Sequence, residues 1–185
     1  MRSRSNAALF WPVLLVVLAF DVVTKAIAER ELLRGIPQEV FGSAVRLRLV
    51  YNPGAAFGLD LGPQSRWIFG VLTIVALVIL GRLYRSTPAG HSARAAALAL
   101  VCAGAVGNLI DRLRSFFGVV DFIDVGVGDT RWPTFNVADM AVSVGAALLA
   151  WVLWQEDQST QGTASAVSPV VVPASPSGGE PGELV

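Results

Sequence analysis

Leu9-Phe10-Trp11-Pro12-Val13-Leu14-Leu15-Val16-Val17-Leu18-Ala19-Phe20 is a run of twelve residues without a charge, and it ends at Asp21. With its flanks the apolar stretch covers about residues 7–28. That exceeds the roughly 20 residues a helix needs to cross the hydrocarbon of a bilayer. Three further stretches have the same character, at about 67–84, 93–113 and 136–154. Four such segments in one chain predict an all-α membrane protein, a bundle of four transmembrane helices.

Composition agrees. Of 185 residues, 54% are hydrophobic and only 15% charged, against about a quarter charged in soluble domains. Mean hydropathy is +0.59. The net charge of +0 gives no basic footprint for nucleic acid. A single cysteine, Cys102, excludes an internal disulfide framework and sits in an apolar run as a buried thiol. With one histidine, His91, and no ligand-spaced cluster, neither a metal site nor a cofactor is expected.

The segments between the helices divide in two kinds. The loop over 29–66 contains Val45-Arg46-Leu47-Arg48-Leu49, apolar and basic in alternation, which is the period of a strand. A Gly-rich turn, Asn52-Pro53-Gly54-Ala55-Ala56-Phe57-Gly58, follows. A small extramembrane β element is therefore predicted in the loop after helix one. The loop over 114–135 carries no such expectation. Residues 1–155 form the membrane domain on this reading. Residues 156–185, rich in Ser, Pro, Gly and Ala, cannot bury enough apolar area to offset chain entropy and are expected to be a disordered cytoplasmic tail. Arg2 and Arg4 favour a cytoplasmic N-terminus, although Arg30, Arg34, Arg46, Arg48, Arg114 and Arg131 on the opposite side weaken the count. Arg2, Arg4 and Ala26-Ile27-Ala28 also resemble a cleavable signal peptide, but Asp21 and Lys25 fall where a cleavage region should be small and neutral.

Ionisable residues in membrane segments are candidates for function. Asp21 and Lys25 stand four apart on one helix face; a simple ion pair with Lys25 snorkelling to the headgroups would also explain them. Asn108, Asp111 and Arg112 end helix three near one face, as a polar clamp or as a site wall. Asp121 lies between Val120 and Phe122, so burial would raise its pKa; a loop aspartate facing water is the plain alternative, and Asp124 and Asp129 are read that way. Asp139 follows Asn136, a good helix N-cap, at the position where an acid suits the helix dipole. No Ser-His pairing, exposed cysteine or metal cluster is present in the apolar part. The remaining chemistry is that of two carboxyls, Asp111 or Asp121 with Asp139, sharing one proton and activating water for peptide hydrolysis.

The ordered set Asp21-Val22-Val23-Thr24-Lys25, Asn52-Pro53-Gly54-Ala55-Ala56-Phe57-Gly58, Gly107-Asn108-Leu109-Ile110-Asp111-Arg112, Val119-Val120-Asp121-Phe122 and Phe135-Asn136-Val137-Ala138-Asp139 resembles the motifs of lipoprotein signal peptidase, or signal peptidase II. The resemblance runs from about residue 10 to 154. It implies a bacterial inner-membrane aspartic endopeptidase that cuts prolipoproteins before a cysteine carrying a diacylglyceryl group. It implies Asp121 and Asp139 as catalytic. Asn52, Gly54, Asn108, Asp111, Arg112 and Asn136 would line or brace the site, and Asp21 and Lys25 would support it. Its partners would be lipid-modified prolipoproteins and membrane lipids, met as a monomer with both termini cytoplasmic and the site near the outer face. The competing readings are a non-enzymatic small transporter or assembly factor with an intramembrane polar clamp, and a membrane-anchored binding module that uses the tail.

Overall fold

The computed structural model describes residues 6–54 and 61–166, with side chains through 159. Four helices are long and apolar enough to cross a membrane: α1 Ala7–Glu31, α2 Ser65–Arg85, α3 Ser92–Arg114 and α4 Val137–Ala166, the last with its apolar span over Val137–Ser159. Each expected segment is recovered, the first three extended by one to three residues at their ends and the fourth running twelve residues further, to Ala166.

Helix α3 is the centre of the packing. Ala95, Ala97, Leu98, Ala99, Cys102, Ala103, Gly104 and Gly107 are all buried in it. Small side chains let backbones approach where lipid provides no hydrophobic drive between helices. A Cβ on Gly104 would overlap the Ala138 carbonyl and lie 2.7 Å from Val142 Cγ2, so α3 and α4 touch almost backbone to backbone there. Helix α1 contributes Phe10 and Leu14 to the same core. Its Trp11, Leu15, Val16, Phe20, Val23 and Ile27 point outward, the pattern of a lipid-facing surface.

The β structure is larger than the sequence suggested. Four strands form an antiparallel order β1-β2-β3-β4: β1 Gln38–Phe41 and β2 Val45–Asn52 from the loop after α1, β3 Val119–Val127 and β4 Thr130–Arg131 from the loop between α3 and α4. Strands β1 and β2 thus lie in the loop after α1, and β3 and β4 extend the sheet from the second loop. Strand β3 is buried on both faces at its start, so Val119-Val120-Asp121-Phe122 has no apolar–polar alternation to reveal it. A register shift between Leu47 and Val50 sets the pairing Val50↔Asp121, Tyr51↔Val120 and Asn52↔Val119.

Residues 1–153 form one compact unit and 154–185 a second. Helix α4 passes the expected boundary at 155, and residues 156–166 of the anticipated tail are helical. Gln155-Glu156-Asp157-Gln158 carries no helix breaker, and the first proline beyond it is Pro169. Ala55 to Gly58 of the Gly-rich turn and residues 167–185 lie outside the described residues.

Candidate active site

The C-terminal ends of α1 and α3, the N-terminal end of α4 and the strand pair β2–β3 meet at one end of the bundle. A cavity of about 530 Å³ opens there, lined by Asn52, Asn108, Arg112, Asp121 and Asp139 among others. Its apolar wall comes from Val119, Trp132, Phe135, Met140, Val142 and Val144.

Asp121 projects from β3, and Asn52 sits diagonally across the β2–β3 ladder on the same face, within reach for a cross-strand side-chain contact. Asn52 Nδ2 donates to Asp121 Oδ2 at 3.1 Å, and Asn136 Nδ2 donates to Asp121 Oδ1 at 2.7 Å. The carboxyl is 2% exposed. Burial pushes its pKa up from 3.8 to about 7, the nearby Asp139 charge adds to that, and the two amide hydrogen bonds pull the other way.

Asp139 is held by helix capping. Asn136 Oδ1 accepts the Asp139 backbone N–H at 2.8 Å, and Asp139 Oδ2 accepts the Asn136 N–H at 3.2 Å. This reciprocal pair is the capping-box arrangement with Asn and Asp in place of Ser and Glu. Asn108 Nδ2 then donates to Asp139 Oδ1 at 2.8 Å. One asparagine, Asn136, therefore touches both acids.

Behind the acids stands a buried charge cluster. Lys25 Nζ lies 2.8 Å from Asp21, 2.9 Å from Asp111 and 2.9 Å from Asn108 Oδ1. The lysine is 1% exposed and does not snorkel. Asp21 Oδ1 accepts the Ala138 N–H at 2.8 Å, and Asp111 Oδ2 accepts the Val120 N–H at 3.2 Å. Each supporting carboxylate thus grips the backbone of the residue that precedes one of the two cavity acids. Gly107 leaves room for Asp21, since a Cβ there would overlap its Oδ2.

Asp111 and Asp124 find their partners away from their immediate chain neighbours. Arg112 does not hold Asp111; its guanidinium donates to the Gly54 carbonyl at 3.0 Å and the Asn108 carbonyl at 3.2 Å, beside the cavity. Asp111 is paired with Lys25 and with Arg114 at 3.0 Å instead. Asp124, expected to face water, is 2% exposed between Arg46 at 2.7 Å and Arg131 at 2.9 Å. Those guanidinium bonds outweigh its burial and hold its pKa below the usual carboxylate range. Asp129 is exposed, as expected. Gly54 places its N–H on Asn52 Oδ1 at 3.0 Å, orienting that amide towards Asp121. The sequence left Glu29, Arg114 and the Trp132–Phe135 wall unmarked. Arg114, three residues after Asp111, was available as a helical neighbour; nothing in a turn motif points to Trp132. Among the described residues no group of three or more His, Cys, Asp or Glu side chains is placed to hold a metal ion.

Four helices long and apolar enough to cross a membrane, with two aspartates linked through asparagines in a largely apolar cavity at one end of the bundle, are the features of a multi-pass membrane protein. Residues 13–155 match the family model for signal peptidase (SPase) II, and the chain belongs to that family of proteases. It is 43% identical over 139 residues to a lipoprotein signal peptidase of Moorella thermoacetica, covering 75% of this chain and 88% of that protein. It is 41% identical over 151 residues to one from Paraburkholderia phytofirmans, covering 80% and 86%. A solved bacterial membrane enzyme superposes with a TM-score of 0.77 at 28% identity, covering 93% of this chain and 99% of the other. A second does so with a TM-score of 0.73 at 30% identity, covering 83% and 97%.

Proposed function

We propose that the chain removes signal peptides from diacylglyceryl-modified prolipoproteins, cutting before the modified cysteine, with Asp121 and Asp139 as the catalytic pair. The observation that carries the reading is the shared cavity in which Asn136 links both carboxyls. Asp139, accepting N–H bonds from Asn108 and Asn136, suits the anionic base that takes a proton from water. Asp121, whose proton is retained to about pH 7, donates it to the scissile carbonyl as the water oxygen bonds to carbon. Collapse of the tetrahedral intermediate breaks the C–N bond as the proton held at Asp139 passes to the leaving amine, and the former carbonyl oxygen returns its proton to Asp121 as C=O re-forms. Arg112 supplies fixed positive charge at the cavity wall, which favours the ionised form of Asp139. The apolar wall suits a signal peptide, and its lipid arrives from the surrounding bilayer.

In this reading the enzyme acts as a monomer in the bacterial inner membrane. Both termini are cytoplasmic and the sheet lies at the outer face, as Arg2 and Arg4 favour. Purified protein should cleave a lipid-modified prolipoprotein, and Asp121→Asn and Asp139→Asn should each abolish cleavage while substrate still binds. Substantial turnover by either variant overturns the dyad. Reporter fusions after residue 166 and in the β1–β2 turn test the orientation, which a periplasmic C-terminus would reverse.

A further inference from the structure

At the level where the helices give way to the sheet, the turn after α3 exposes two adjacent rings. Phe116 is 83% and Phe117 57% exposed, packed edge to face with centroids 6.4 Å apart. Each ring carries an arginine. The Arg66 guanidinium, from the first turn of α2, lies 5.2 Å from the Phe116 ring and 4.6 Å from that of Trp67. The Arg34 guanidinium lies 5.4 Å from the Phe117 ring and 5.1 Å from that of Tyr51. These are distances at which a cation is attracted to an aromatic face. Arg66 also donates to the Ser115 carbonyl at 2.9 Å, which fixes its head against the turn.

The two guanidiniums differ from others at this end of the molecule in their charge balance. Arg46 and Arg131 share the Asp124 carboxylate, and Arg114 pairs with Glu29 and Asp111. Among the described residues, Arg34 and Arg66, like Arg30 and Arg48, have no carboxylate partner, and of these four only Arg34 and Arg66 lie against the exposed rings. Unbalanced guanidiniums flanking exposed rings, at the ends of membrane-crossing helices, match a ligand that is anionic at its head and apolar below it. Aromatic rings favour the headgroup level of a bilayer, and a planar guanidinium forks onto phosphate oxygens.

We infer that Arg34, Arg66, Phe116 and Phe117 form a clasp for the phosphate headgroup of an anionic phospholipid in the leaflet at the sheet end. The guanidiniums supply the positive charge that meets the phosphate, and the exposed phenylalanine rings lie among the upper methylenes. The site is separate from the cavity of Asp121 and Asp139, and it depends on the membrane reading rather than on the cleavage chemistry.

The test places the photo-crosslinker p-benzoylphenylalanine at Leu113, which is exposed one turn before the clasp. The full chain is reconstituted in vesicles of equal parts phosphatidylcholine and phosphatidylglycerol. Crosslinks to phosphatidylglycerol should exceed those to phosphatidylcholine by about fivefold, the factor one arginine is worth at an anionic surface. The excess should shrink as salt is raised. It should fall to near parity in Arg34→Gln/Arg66→Gln, with thermal unfolding of that variant unchanged. Equal labelling of both lipids in the parent overturns the clasp, whatever the variant does. So does a preference that survives loss of both arginines. A probe at Trp11, on the other end of α1, should be indifferent to the double substitution.

Discussion

Replacing Asp121 by Asn should make the protein more stable above neutrality while removing its chemistry. The carboxyl is 2% exposed, and its pKa in the folded protein is about 7 rather than 3.8, first because burial disfavours the anion and then because Asp139 is near. The sign follows from linkage. A pKa raised on folding contributes stability that is fully present below 3.8 and is lost as pH climbs to about 7. Above that, the folded state holds a buried anion that the unfolded chain would hydrate. At about 1.36 kcal/mol per pH unit, the loss at pH 8 is about 4 kcal/mol. Asn does not titrate and escapes it. Its single oxygen cannot accept from both Asn52 and Asn136, however, and one mismatched donor costs about 1–2 kcal/mol. The net gain at pH 8 is therefore about 2–3 kcal/mol, vanishing or reversing by pH 4. Reversible unfolding in mixed dodecyl maltoside and dodecyl sulfate micelles at pH 4, 6 and 8 measures it. Parent and variant stabilities that run parallel across that range, or a variant weaker at pH 8, would refute the account of Asp121 as a strained acid.

Asp111→Asn should act oppositely, destabilising by about 3 kcal/mol, the low end for breaking a buried pair, because Lys25 keeps Asp21 and Asn108; an unaltered unfolding midpoint with cleavage abolished would make Asp111 the catalytic partner instead. Gly107→Ala should push Asp21 off the Ala138 N–H, with about 1–3 kcal/mol lost and kcat lowered more than KM; unchanged kinetics would mean that this support is not needed. Cleavage should survive a chelator, and a loss restored by one added metal would sink the carboxylate mechanism.

Helix positions were legible because each apolar run comes close to or exceeds the roughly 20 residues that cross a bilayer. The strand β2 was legible through its alternation of arginine with leucine and valine. Strand β3 was not, because Val119-Val120-Asp121-Phe122 is buried throughout and a continuous apolar run has no period to read. Asp21, Lys25, Asn108 and Asp139 stood out as polar residues in or beside apolar segments, and the structure gathers all four. Partner choice was beyond the sequence. Asp111 has Arg112 beside it in the chain, yet successive helix residues point about 100° apart, and Arg114 at i+3 takes the contact. Asp124 looked solvated because its two arginines come from β2 and β4, which only the four-stranded order brings together.

The geometry explains why buried charges on apolar helices accompany the pair Asp121 and Asp139. The two acids ride on different elements, Asp121 on a strand and Asp139 on the first turn of a helix, so their separation depends on how strand and helix are tied. Asn136, itself fully buried, bridges them. From behind, Asp111 holds the Val120 N–H and Asp21 holds the Ala138 N–H, one residue before each acid. Lys25 sits between those two carboxylates at 2.9 and 2.8 Å and ties the strand to the helix through α1. In water such a chain would exchange with solvent and fix little. Buried at the helix ends, with effective dielectric far below that of water, each link is stiffer and its rupture strands a charge. The membrane segment thus serves as the rigid base of a carboxyl pair, and Lys25 sets its spacing without touching either acid.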